Sequence, residues 1–238
     1  MHLVKFWVGV SGFSYPKWRG KFYPKDTKSD KLLEAYSTKL NSVEVNSSFY
    51  NTPTEKTILK WAASVGEDFR FSFKANRHIT HYKKLKNTQP EIDYLTKALT
   101  NMGQKFGCLL VQLPPYLKSD NELLETFLKG TKDSNRIALE FRNDSWFTDE
   151  TYALLTKYNA ALCVADTQEM KPVLQKTANF TYTRLRRDKY SELELKEWAK
   201  KLSAFSQDTT DGYVYFKHDE PGDAANAAVK FKEILDAL

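Results

Sequence analysis

Proline and glycine are scarce in this chain, eight and nine among 238 residues. That excludes collagen-like and low-complexity segments. Cysteine is scarcer still: Cys108 and Cys163 are the only two, and both fall inside predicted strands. They read as small buried apolar residues in a reducing compartment, not as a disulfide framework. Long apolar runs are missing. The longest are strand-sized, too short for a transmembrane helix. MHLVKFWVGV enters a strand almost at once, with no charged leader before an apolar stretch, so no signal peptide is expected. These absences lead to the expectation of a cytoplasmic protein without membrane contact. GxGxxG, GxSxG, HxH and HExxH spacings do not occur either. A dinucleotide turn, a nucleophile elbow and two common metal motifs are therefore not legible.

What is present is a well-populated core. Hydrophobic residues make up 41% and aromatics 14%, enough for one sizeable core and one domain over residues 1–238. The net charge of +6 and pI near 9.0 point weakly to an anionic ligand, because the lysines are spread over nearly every predicted helix. Strand patterns cover Phe6–Val10, Asn41–Val45, Arg70–Lys74, Phe106–Leu113, Arg136–Phe141, Ala160–Ala165, Phe180–Leu185 and Gly212–Lys217. Helical patterns lie between them: 29–38, 53–65, 90–102, 121–129, 149–158, 191–205 and, after the last strand, 224–235. The connection TQEMKPVLQKT contains Pro172, so the sixth helix is expected to be degenerate or missing. Strict alternation forces parallel strands with right-handed crossovers. Eight such units predict an α/β fold, a (β/α)8 TIM-type barrel with an irregular sixth helix. The open doubly wound sheet is the alternative.

The strand exits carry the chemistry. RIALEFRNDSW, Arg136 to Trp146, places Glu140 and Arg142 two residues apart, on one face at a buried strand's end. Collected over all strands, the exits hold Ser11, Glu44, Asn46, Lys74, Gln112, Glu140, Arg142, Asp166, Arg184, Lys217 and His218. Barrel active sites lie at these ends. Glu140 and Glu44 are acid/base candidates, with Asp166 orienting a neighbour and His218 a further catalytic candidate. Asn46, Lys74, Gln112, Arg142, Arg184 and Lys217 are candidate substrate-binding residues. The acids could instead hold a divalent metal with His218 completing the shell, but the spacing assigns no metal and no cofactor. Ion pairing is the bland reading, with Glu140–Arg142 and Glu44–Lys74 as the expected pairs.

Arg184, Arg186, Lys217 and the helix start Pro221-Gly222-Asp223 form a possible anion site, crowded by Asp219, Glu220 and Asp223. His78 and His81 sit beside Lys83, Lys84 and Lys86 in the loop after the third strand. Phe13, Tyr15, Trp18, Phe49, Tyr50 and Trp146 either stack on a ligand or plug the barrel top. An imine-forming lysine at Lys74 or Lys217 is a further option.

Six segments, GVSGFSYPKWRGKFYP, VEVNSSFYNTP, FSFKANRHITH, LLVQLPP, ALEFRNDSW and YFKHDEPGDAANA, resemble the YecE-like family, a domain of unknown function with a TIM-type barrel. The match runs in order from about residue 8 to residue 231. The resemblance implies the fold but no substrate. One departure is visible: members usually read Tyr-x-Arg-Leu-His-Gly where this chain has Tyr182-Thr183-Arg184-Leu185-Arg186-Arg187.

Two functions follow. The first is an enzyme, a hydrolase, lyase or isomerase, acting on a small anionic metabolite. The alternative is a non-catalytic module binding nucleic acid or another polyanion through HYKKLKN, RLRRDK and the loop aromatics, with strong salt dependence.

Overall fold

The structure, a computed structural model, describes residues 4–131, 136–218 and 221–238. Eight parallel strands form one sheet in the order β1-β8-β7-β6-β5-β4-β3-β2. They are β1 Lys5–Val10, β2 Ser42–Val45, β3 Arg70–Lys74, β4 Phe106–Gln112, β5 Ile137–Glu140, β6 Ala161–Asp166, β7 Phe180–Leu185 and β8 Asp211–Phe216. Helices α1 Leu32–Ser37, α2 Glu55–Ala63, α3 Gln89–Leu99, α4 Asn121–Thr131 and α5 Asp149–Lys157 follow the first five strands. No helix joins β6 to β7, as Pro172 implies. Helices α6 Glu192–Phe205 and α7 Asp223–Asp236 follow β7 and β8. The expected (β/α)8 barrel is the observed fold. No described helix is long and apolar enough to cross a membrane.

Period-two alternation along the strands builds two cores. Val8, Val10, Phe71, Phe73, Leu109, Val111 and Leu139 face outward to the helices. Trp7, Cys108, Leu110, Cys163, Tyr182, Tyr213 and Tyr215 fill the barrel interior. Both cysteines are buried there as free thiols, and burial pushes both well up from the usual thiol range.

Closure between β1 and β2 relies on side chains. The Asn41 amide donates from Nδ2 to the Phe6 carbonyl at 2.9 Å and accepts at Oδ1 from Val8 N at 2.8 Å. The Tyr36 hydroxyl accepts from Val10 N and donates to the Ser42 carbonyl, each at 2.8 Å. Asn41, expected to begin the second strand, thus stands in for a ladder rung. Gly9 permits the approach, since a Cβ there would lie 2.0 Å from the Ser42 carbonyl oxygen. At the top, Gly12 N donates to Glu44 O at 2.9 Å. That backbone bond brings Glu44 under the first loop.

Three helices carry side-chain caps that hold their first turns. Ser191 and Glu194 form a reciprocal capping box on α6. Thr54 caps α2, and Thr148 caps α5. The third helix stops at Leu99, before the expected Met102, and continues as a 3-10 stretch kinked at Gly103, whose φ is 53°.

Candidate functional site

The exits of β1, β2, β3, β4, β5 and β7 converge inside the barrel mouth. Arg184, at the end of β7, is wholly buried. Its Nη2 donates to Glu44 Oε1 at 2.7 Å and its Nη1 to Glu140 Oε2 at 2.5 Å. One guanidinium therefore bridges carboxylates from β2 and β5, strands far apart in the sheet order. Each carboxylate has further donors. Ser11 Oγ reaches Glu44 Oε1 at 2.7 Å, and Tyr182 OH reaches Glu44 Oε2 at 2.8 Å. Gln112 Nε2 and Arg142 Nε reach Glu140 Oε1 at 2.7 and 3.0 Å.

These bonds set the protonation states. Burial raises the Glu140 carboxyl, but the charges of Arg184 and Arg142 outweigh it and hold the group at about 2. Glu44 is likewise lowered: burial opposes ionisation, while Arg184, Arg186, Ser11 and Tyr182 favour it. Both are carboxylates at neutral pH.

The cations around them exceed that charge. Arg186 follows Arg184 on the same face, and its Nη1 donates to Ser11 Oγ at 2.8 Å. Among the described residues Arg186 has no carboxylate partner. Burial, then the charge of Arg184, push its guanidinium down to about 10. Lys74 ends β3 with Nζ 4.0 Å from the Phe49 ring centroid. Burial and Arg184 push its ammonium down to about 8, despite Glu140 and Glu44. His81 is lowered by burial and by Lys74 and Arg142. Lys74, Arg142, Arg184 and Arg186 thus face two carboxylates. The buried Arg184 Nε in this cluster lacks a partner, as does the buried Oδ1 of Asn46 at the exit of β2.

A cavity of about 250 Å³ opens beside this cluster, where the sixth helix is missing. Glu140 and Arg142 line one side; Phe147, Thr167, Met170 and Val173 line others. Among the described residues, no three His, Cys, Asp or Glu side chains gather as metal ligands would.

The profile described as "Protein of unknown function DUF72" matches residues 7–238. The chain belongs to the DUF72 family. The UPF0759 protein YunF of Bacillus subtilis is 27% identical over 97% of this chain and 94% of its own length. The UPF0759 protein YecE of Escherichia coli K12 is 31% identical over 45% of this chain and 37% of that protein. The crystal structure of a DUF72 protein from Thermotoga maritima superposes with a TM-score of 0.86 at 26% identity, covering 98% of this chain and 99% of that one.

In this DUF72 chain the strand-exit residues named from the sequence do not all meet. Ser11, Glu44, Gln112, Glu140, Arg142, Arg184 and Lys74 share the mouth. Asp166 and Lys217 do not, and His218 lies beside the first loop. Asp166 accepts from Arg187 Nε at 2.9 Å and Tyr190 OH at 2.8 Å. Lys217 pairs with the exposed Asp188 at 2.7 Å. His218 stacks at 5.1 Å on Tyr15, whose hydroxyl donates to the Ser11 carbonyl at the rim of the mouth. The expected Glu140–Arg142 pair forms, but Glu44 pairs with Arg184 in place of Lys74.

The expected grouping of Arg184 with Lys217 separates too, because Arg184 turns inward while Lys217 meets a surface acid. Asp219 and Glu220 lie outside the described residues. Trp18 and Trp146 are fully buried, and their Nε1 groups or rings serve the core; Trp146 donates to the Leu117 carbonyl at 2.9 Å. Tyr182 is a site residue that the strand-exit pattern misses. Its signal is its place two residues before Arg184, hence on the same inward face.

Proposed function

We infer that the barrel mouth binds a small anionic ligand, a phosphorylated or carboxylated metabolite, with Arg142 and Arg186 as its holders. One observation carries this: four cationic side chains surround two carboxylates that already accept from several donors. Burial lowers Lys74, Arg186 and His81, and a neighbouring cation adds to the lowering of each, as in a positive field. An anion would relieve that field. The adjoining cavity has room for the ligand's uncharged part, against Phe147, Met170 and Val173.

Glu44 and Glu140 serve this reading as fixed charges that lock Arg184 in place: both carboxyls are lowered, which leaves no proton to donate at neutral pH and weakens each as a base.

The test is thermal unfolding with inorganic phosphate and with sugar phosphates or sugar acids, at matched ionic strength. A ligand at 100 times its dissociation constant adds about 2.7 kcal/mol, roughly a 5–10 °C rise for a domain of this size. Arg142→Gln and Arg186→Gln should each abolish most of the rise. No rise with any anion, or an equal rise in both variants, removes the reading.

A polyanion is the second reading. Exposed Tyr50, Tyr82 and Tyr116 favour it, with Arg77 near the first two rings and Lys84 over the third. Affinity for single-stranded RNA that falls steeply with salt would support it. Salt-independent or absent binding would end it.

A further inference from the structure

We propose that Lys74 is a nucleophilic amine, forming an imine with an aldehyde or ketone that carries a carboxylate or phosphate held on Arg142. This rests on the anion-site reading and adds what the anion is attached to.

Position supports it first. Lys74 is the last residue of β3 and points into the mouth with Ser72, whose Oγ accepts from the interior Tyr215 hydroxyl at 2.8 Å. Isolation supports it second. Among the described residues the Lys74 ammonium has no hydrogen-bond or ion-pair partner. Strand-end lysines usually pair with a carboxylate, and the two available here are taken. Glu44 already accepts from Arg184, Ser11 and Tyr182; Glu140 already accepts from Arg184, Gln112 and Arg142.

The surroundings support it third. Phe49 covers one side of Nζ at 4.0 Å. The charged groups acting on it are Arg184 from β7, Glu140 and Arg142 from β5 and its exit, and Glu44 from β2. His81, in the turn after β3, feels Lys74 in return. With the ammonium lowered to about 8, the free amine at neutral pH is on the order of a hundredfold more abundant than in a solvated lysine.

The step balances without oxidant or reductant. The amine lone pair attacks the carbonyl carbon, and the carbonyl π pair moves to oxygen, which takes a proton as the nitrogen loses one. The carbinolamine then expels that oxygen as water while nitrogen forms the C=N bond. One carbonyl and one amine give one imine and one water.

The test uses the full-length protein with glyoxylate, an aldehyde bearing a carboxylate, and with neutral acetaldehyde. Sodium cyanoborohydride delivers hydride to the imine carbon and fixes it as a secondary amine. Peptide mass mapping then gives a labelling rate for each lysine. With glyoxylate, Lys74 should react at least about tenfold faster than exposed lysines such as Lys60. That lead should shrink with acetaldehyde, and with glyoxylate in Arg142→Gln. In Lys74→Arg, which keeps the charge and lacks the amine, the fast-labelled peptide should vanish. Labelling of Lys74 at the rate of Lys60, or an equal lead with both aldehydes, overturns the proposal. The phosphate-induced thermal rise is read separately. Slow labelling with that rise intact removes the imine and keeps the anion site; loss of the rise removes the site beneath it.

Discussion

The two ends of the barrel interior use similar residues to opposite effect. At the N-terminal end of the strands, Arg136 meets Asp211 at 2.8 Å and donates to Tyr213 OH at 2.8 Å. Trp7 Nε1 donates to the same Asp211 at 2.7 Å, and the Arg70 guanidinium lies 4.2 Å from the Trp7 ring centroid. Each charge there has a neutralising or stacking neighbour. At the C-terminal end, Arg184 is wholly buried between two carboxylates, while Lys74 and Arg186 add charge that no described carboxylate matches. The bottom is arranged as a finished surface. The top holds polar atoms and charge in a state that a bound anion would complete.

Removing Arg184 should sharpen that contrast most. Arg184→Met leaves Glu44 and Glu140 buried beside each other without their shared counter-ion. The expected loss is about 3–5 kcal/mol in denaturant unfolding. A loss below about 1 kcal/mol would mean that Arg142, Arg186 and Lys74 suffice to neutralise the pair.

Acid should discriminate the ends next. The Glu140 carboxyl is lowered in the folded protein to about 2. In the window between its unfolded and folded values the unfolded chain therefore binds more protons, so stability rises with pH and is lost as pH falls from about 4.5 toward about 2. Denaturant midpoints measured across that window should fall more steeply in the parent than in Glu140→Gln, which begins less stable but has no carboxyl to protonate. The difference should amount to about 2–3 kcal/mol. Parallel curves would place the acid sensitivity elsewhere.

The smallest effect belongs to the bottom. Arg136→Met breaks a pair whose guanidinium is 40% exposed, and the expected cost is about 1 kcal/mol by the same denaturant measurement. A cost equal to that of Arg184→Met would erase the distinction between the ends.

Much of this architecture is legible in the residue pattern. The eight strands can be placed because apolar runs of strand length alternate with amphipathic stretches, and Pro172 marks the missing helix. Glu140 and Arg142 can be paired because two residues on one strand face are neighbours whatever the fold. Glu44 with Arg184 cannot be foreseen. They are 140 positions apart, and only barrel closure brings β2 and β7 to a common axis. The same limit explains why Asp166 and Lys217, polar residues at strand exits like the others, read as members of the site in the sequence. Whether an exit residue turns inward or meets a loop is set by local twist and by the loop above it, which residue type does not encode.

Local pattern by itself therefore determined the parallel barrel, the end at which the polar cluster lies, and most of the side chains gathered there, because each depends on short-range periodicity and strand direction. Only the tertiary structure decided which carboxylate received which cation. That choice left Lys74 and Arg186 without a carboxylate, because ion pairing inside a barrel follows distances across its axis, and those exist only once the strands have closed.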